Sequence, residues 1–171
     1  MKRVPLNRRK NNKNSGKHFA LVDDKDYDRV MKMNWCVVKY KHTFYAMRAV
    51  LVDGKYVFTR MHRFIIKAKS GEYVDHIDHN GLNNQRSNLR ICTNKKNTWN
   101  SRSMGVHSSR YKGVSWDKRR GNWSSDIHPN GKHIYLGAFK KEEDAAKAYN
   151  EAALIHYGEF ANLNIISRGK H

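Results

Sequence analysis

Apolar residues fall in short runs bounded by polar and turn-forming ones along most of the first hundred positions, the pattern of short strands. Phe19 to Val22 is one such run. It is followed by Asp23, Asp24, Asp26 and Asp28, carboxylates that suit a helix N-terminus, so a short helix through Val30 is expected with these acids capping it or facing solvent. Trp35 to Val38, Thr43 to Val52 and Tyr56 to Thr59 read as strands, the last two joined by Asp53-Gly54, a two-residue hairpin signal. Met61 to Lys67 has the spacing of a short helix, although a strand also fits. Tyr73 to Ile77 and Leu89 to Thr93 read as two further strands around the turn chemistry of Asn80-Gly81-Leu82-Asn83-Asn84. A helix follows from Asn94 to Asn100, with Thr93 as its N-cap.

The pattern changes after the polar stretch from Ser101 to Ser109. Three strands, Tyr111 to Trp116, Trp123 to His128 and His133 to Phe139, are separated by turn signals at Arg120-Gly121-Asn122 and Pro129-Asn130-Gly131. They lead into one long helix, Glu142 to Tyr157. Its inward face is expected at Ala145, Tyr149, Ala152 and His156, its acidic start at Glu142, Glu143 and Asp144, and its stop at Gly158. Leu136, Phe139, Phe160 and Leu163 are expected to seal the core between sheet and helix. The predicted class is α+β in two small domains. Residues 1–17 are read as a basic flexible arm, 18–100 as the first domain, 101–109 as a linker, 110–165 as the second domain and 166–171 as a tail.

Charge narrows the function. The chain has 34 Lys and Arg against 15 Asp and Glu, a formal net charge of +19. Such an excess repels itself unless a polyanion is the partner, and nucleic acid is the first candidate. A membrane surface would need a long basic amphipathic helix or an apolar span, whereas the apolar runs here are short. Cys36 and Cys92 lie far apart with no second Cys at ligand spacing, so a reduced intracellular protein without structural zinc is expected.

The chemistry concentrates at Val74-Asp75-His76-Ile77-Asp78-His79-Asn80. From His79 to Trp116 there is no acid, only cations such as Arg86, Arg90, Lys95 and Lys96. A carboxylate beside an imidazole, facing a basic surface, suggests a metal meeting a phosphate. Phosphodiester hydrolysis needs a base for the attacking water, and His76 supplies one, because much imidazole is unprotonated near neutral pH. Asp75 and Asn97 offer hard oxygens suited to one Mg²⁺ or Mn²⁺ that keeps several waters. Successive strand residues point to opposite faces, so Asp75 and His76 can divide the labour. Asn88 is placed to brace the loop that holds His76. His62 and His79 are read as supporting residues, and a zinc site on His76 and His79 lacks further ligands.

Asp75-His76, then Asn88-Leu89-Arg90, then Asn97 resemble the His-Asn-His (HNH) nuclease motif, and Met61-His62-Arg63 resembles the flanking segment of phage HNH homing endonucleases. The resemblance spans residues 18–100 and implies a ββα-metal fold in which His76 is the general base, Asp75 and Asn97 hold one divalent ion and Asn88 orients the loop. Position 97 is Asn where the motif's name has His, a variant found among metal-binding members. Tyr111-Lys112-Gly113-Val114, Trp116, Trp123, Tyr135 to Phe139, Ala145 to Tyr149 and Asn162-Leu163-Asn164 resemble the AP2 DNA-binding domain. That likeness implies a sheet lying in the major groove. Its contact positions carry over to Arg110, Lys112, Trp116, Lys118, Arg120, Trp123, His128 and Tyr135. Ser115 stands where Arg is usual and His128 near another Arg position, so base preference does not transfer.

The expected function is therefore a metal-dependent DNA endonuclease of homing type that nicks one strand of duplex DNA, acting as a monomer or weak dimer. No membrane or small-molecule partner is expected. The location would be intracellular, in bacterial cytoplasm if phage-encoded. The alternative is a non-catalytic DNA-binding regulator using the HNH fold as scaffold; an RNA-binding role is a weaker third reading.

Overall fold

A computed structural model describes residues 1–6, 17–40, 43–101 and 108–166. Ten strands and four helices stand among the described residues, an α+β mixture of small antiparallel sheets. They divide into two compact units, Met1–Asn94 and Lys95–His171.

In the first unit, β1 (Lys2–Pro5) pairs antiparallel with β2 (Phe19–Val22). The opening residues assigned to a flexible arm are thus a strand. Val4 and Leu6 explain why: two apolar residues at alternate positions are each 1% exposed and join Val22, Val30 and Trp35 in one cluster. The rest of that arm, 7–16, lies outside the described residues, as do 102–107 of the expected linker and 167–171 of the expected tail.

The acidic run does form a helix, α1 (Asp24–Met31), but no side chain caps it. Asp26 is buried instead and binds two arginines, so the capping or solvated role expected of it gives way to an internal ion pair. Next come β3 (Cys36–Tyr40), β4 (Thr43–Val52) and β5 (Lys55–Arg60), an antiparallel sheet in that order. Asp53 and Gly54 close the β4–β5 hairpin with φ of 48° and 73°, as a tight primed turn requires. α2 (Met61–Ile66) settles the helix-or-strand ambiguity; its Met61 and Ile65 are fully buried and pack with Trp35. β6 (Tyr73–His76) and β7 (Leu89–Cys92) complete the unit as an antiparallel pair.

α3 (Asn94–Trp99) begins at the last residue of the first unit, and from Lys95 onward it groups with the second. There β8 (Val114–Asp117), β9 (Asn122–Ile127) and β10 (Ile134–Phe139) form an antiparallel sheet with β9 central, backed by α4 (Glu142–Tyr157). The helix buries Ala145, Ala146, Tyr149, Ala152, Ala153 and Tyr157. His156, expected on that face, is exposed, because the stripe turns toward Ala153 and Tyr157. Phe160 seals the core as expected, whereas Leu163 is 41% exposed and does not. Gly113, at φ +72°, lies so close to Tyr149 that a Cβ would sit 2.1 Å from its ring; only glycine lets this backbone lie on the helix.

Candidate functional site

The register of the β6–β7 pair sets Asp75 directly opposite Arg90 and His76 opposite Leu89. Cross-strand neighbours of opposite charge attract. Here the Arg90 guanidinium donates to Asp75 Oδ2 from Nε at 2.9 Å and from a terminal nitrogen at 2.7 Å. Both side chains are largely covered, 8% and 13% exposed, so the pair holds the carboxylate in a fixed place. Arg90, expected to meet DNA, is committed to Asp75.

His76 points to the other side of the strand, into a small aromatic cluster. Its ring centre is 4.8 Å from that of His62, nearly perpendicular, and 5.7 Å from that of Tyr45; Tyr45 in turn lies 5.6 Å from His62. His62 comes from α2 and Tyr45 from β4, so three elements converge on one imidazole. The loop after His76 is closed by its own polar groups. Asn88 Nδ2 donates to Asp78 Oδ1 and to the Asn83 carbonyl, both at 2.8 Å, and its Oδ1 accepts from the Asp78 amide at 3.0 Å. The Ile77 amide donates to the Asn88 carbonyl and the His79 amide to the His76 carbonyl, each at 3.0 Å. Asn88 therefore braces the loop, and His79 closes the turn at φ 62°.

Burial governs the titration of both histidines. It pushes the His76 imidazole below its ordinary value, against opposing pulls from the Asn84 side chain, Asp78 and Asp75. His62 is driven further, to about 2, by burial first and then by His76, Arg60 and Arg63. Its Nδ1 is buried without a hydrogen-bond partner among the described residues, so protonation has no acceptor to stabilise it. Burial also raises the Asp78 carboxyl, but hydrogen bonds from Asn83, Asn80 and Asn88 outweigh it and hold the group below its usual range. The linkage for His62 has a definite sign. A histidine with a depressed folded pKa costs stability as pH falls below its unfolded value of 6.5, and costs nothing above it. From pH 7 to 4.5 the wild type should lose about 2–3 kcal/mol through this residue, two pH units at 1.36 kcal/mol each. His62→Leu should flatten that slope in urea melts; an unchanged slope rules the assignment out.

Sequence reading missed Tyr45, Asn84 and the Arg90 role. Tyr45 carried no signal beyond strand alternation, and Asn84, 1% exposed, looked like one more turn residue. The Asp75–Arg90 match was available, because pairing the two strands with His76 opposite Leu89 also puts a carboxylate opposite a guanidinium.

Asn97 sits on α3, half-buried, in the second unit, and Lys95 and Lys96 are exposed on the same helix. Asp75 and Asn97 offer only hard oxygens, a donor set that suits a divalent ion keeping most of its waters. Among the described residues no three His, Cys, Asp or Glu side chains gather as a metal-holding group.

On the second unit, Trp116 and Trp123 are cross-strand partners whose rings meet edge to face at 5.0 Å. Trp123 packs against Tyr111, Val114, Ala145 and Ala146 and so serves the core. Lys112, also expected at DNA, turns inward onto carbonyl oxygens. Arg110, Lys118, Arg120, His128 and Tyr135 remain exposed, although Arg110 lies over the Tyr111 ring and Arg120 stands 3.8 Å from Asp117.

Comparison with known proteins bears on both units. Residues 60–98 match the model of the HNH endonuclease family and residues 109–158 that of the AP2 domain. Protein 3.8 of Escherichia phage T7 is 36% identical over 93 residues, 54% of this chain and 76% of that protein. The chain belongs to the HNH endonuclease family. Another relative, an uncharacterized HNH endonuclease of Acanthamoeba polyphaga mimivirus, is 40% identical over 113 residues, 63% of this chain and 58% of the viral protein. The AP2 match extends to an AP2-like ethylene-responsive transcription factor of Arabidopsis thaliana, 42% identical over 59 residues, 34% of this chain and 12% of that factor. The family's model ends one residue short of Trp99, and its segment includes Asp75, His76, Asn88 and Asn97. No helix among the described residues is long and apolar enough to cross a membrane.

Proposed function

We propose that this protein is a divalent-metal-dependent endonuclease of homing type that nicks one strand of duplex DNA, acting as a monomer or weak dimer. The observation that carries the reading is the juxtaposition, on one β-hairpin, of a fixed carboxylate at Asp75 and a neutral buried imidazole at His76, beside a loop braced by Asn88. We take β6, β7 and α3 as the strands and helix of a ββα-metal fold, which the match of residues 60–98 to the HNH family supports. His76 accepts the proton of the water whose oxygen attacks phosphorus, and the bond from phosphorus to the leaving oxygen breaks. Asn88 keeps the loop closed behind His76, and the Tyr45 and His62 rings hold its imidazole. Asp75 and Asn97 would hold one Mg²⁺ or Mn²⁺, which when bound supplies neutralisation of the charge growing on the phosphate. The AP2 unit holds the duplex through its exposed cations, with Lys95 and Lys96 adding phosphate contacts.

Supercoiled plasmid carrying candidate target sites should be converted to open circles by the protein with Mg²⁺ and left intact with EDTA. Tight binding without any nicking would refute the enzyme and leave a DNA-binding regulator. Matched duplex RNA should bind less well. The net charge of +19 adds a second expectation: with six or more phosphate contacts, affinity should fall on the order of 10³-fold between 50 and 200 mM salt. A flat response would show that the charge serves something else.

A further inference from the structure

The first unit holds a cavity of about 430 Å³ among α1, β5 and α2, a size that admits a small organic ligand. Two phenyl rings and three cations line it: Phe58 from β5, Arg29 from α1, and Arg63, Phe64 and Lys67 from α2 and its end. α2 therefore serves two places, because His62 faces His76 while the next two residues line the cavity. The helix is six residues long, about 9 Å, the span of about three stacked nucleotides.

One wall is rigid. The Arg29 guanidinium, held by Asp26 at 2.9 Å and by the Ile65 carbonyl at 3.0 Å, lies 4.7 Å from the centre of the Phe64 ring, which in turn meets Trp35 at 5.7 Å. The facing Phe58 is 57% exposed, a large apolar side chain that the fold leaves in water. The cations at the other wall lack acidic partners. Arg63 donates to the Glu72 and Lys69 carbonyls, the Glu72 carboxylate accepts from the Lys69 amide, and neither Arg63 nor Lys67 enters an ion pair among the described residues. Lys67 ends α2 at φ 54°, a left-handed position that glycine fills at lower cost; what a lysine adds there is an exposed ammonium. An aromatic face takes a planar ring, and unneutralised cations take a phosphate. A nucleotide whose base has left its pair and its stack offers both.

We propose that this cavity takes one unpaired nucleotide of a DNA strand, its base on the Phe58 ring beside the Arg29–Phe64 wall and its phosphate at Arg63 and Lys67. This rests on DNA being the substrate, as given above, and makes the protein a reader of locally opened DNA.

The test uses the full chain in EDTA, so that binding is read without cutting, and four probes. They are a duplex with one unpaired adenine, the same duplex with an abasic unit in its place, the fully paired duplex, and deoxyadenosine monophosphate. The unpaired adenine should bind about five- to a hundredfold more tightly than the abasic unit, the range that stacking one base on an aromatic side chain supplies. Phe58→Ala and Lys67→Gly should each erase most of that ratio, in which any general loss of phosphate contacts cancels. Urea midpoints near wild type show that both variants are folded, and Lys67→Gly suits the left-handed backbone. Equal affinity for the adenine and abasic duplexes would mean that only the flexibility of the gap is read, and would overturn the inference. So would a preference that both variants keep, since the base would then lie elsewhere. Displacement by deoxyadenosine monophosphate as tight as the duplex's own binding would make a free nucleotide the ligand instead of a strand. If paired duplex is bound, and nicked once Mg²⁺ is added, while the adenine preference is absent, this inference alone falls. A chain that binds none of the duplexes brings down the DNA reading beneath it as well.

Discussion

His76→Ala should lower the nicking rate about 10²- to 10⁴-fold, the range that a positioned general base contributes, while duplex affinity stays near wild type. The expectation rests on where the ring sits. His76 occupies the last residue of β6, is 6% exposed, and is packed by His62 and Tyr45 so that its orientation is set before substrate arrives. Its depressed pKa, caused first by burial, keeps the imidazole unprotonated, and so able to accept a proton, at pH values where an ordinary histidine is already charged. The acid limb of kcat/KM against pH should therefore fall below the ordinary imidazole value of 6.5. His76→Ala should abolish that limb in whatever residual activity remains. A variant that nicks within fivefold of wild type, or a limb unchanged by the substitution, would remove His76 from the base role.

Much of the fold could be read from spacing, and the reasons are local. Alternation and the Asp53-Gly54 turn marked β4 and β5 because a half-buried strand and a primed turn each restrict residue type. The long helix α4 was legible from its start to its end, since acids begin it and Gly158 ends it. What could not be read was set by partners distant in sequence. Lys2–Pro5 looked like part of a solvated arm because its charges dominate a short window; only β2, fourteen or more residues on, gives Val4 a strand to pair with. Lys112 looked like a phosphate contact because a basic chain offers many cations, and nothing near it in sequence says that its ammonium will meet Trp99. Arg90 was read by its charge, while its structural use follows from register. Trp123 was one of a pair of indoles, and only the packing of α4 shows that it serves the core.

Asp26 has the largest expected effect on stability, although the acidic run that contains it suggests only helix capping or a solvated face. Its Oδ2 accepts from Arg86 Nε at 2.7 Å, and its Oδ1 accepts from Arg86 and Arg29 terminal nitrogens, both at 2.9 Å. The same two guanidinium groups also donate to the Ile65 carbonyl, at 2.9 and 3.0 Å. One buried carboxylate thus neutralises two cations that converge on the end of α2. Asp26→Ala leaves them facing each other. Removing one member of a buried pair costs about 3–5 kcal/mol, and because Arg86 and Arg29 are 38% and 34% exposed, water recovers part of that, leaving about 2–3 kcal/mol. Asp26→Asn, which keeps an acceptor and loses the charge, should fall between. The folded carboxyl is held below its ordinary value of 3.8, chiefly by the hydrogen bond from Arg86, so this contribution is complete above that pH and is lost as pH falls through the folded value. The consequence reaches the site. The Arg86 amide donates to Asp23 at 2.8 Å, and the short 3-10 turn Arg86–Asn88 ends in the residue that closes the loop behind His76. Urea melts at pH 7 give the stability, and nicking under native conditions gives the placement of Asn88. A loss below 0.5 kcal/mol would mean that the two guanidiniums are adequately solvated without Asp26, and that the turn carrying Asn88 is held by the loop's own hydrogen bonds instead.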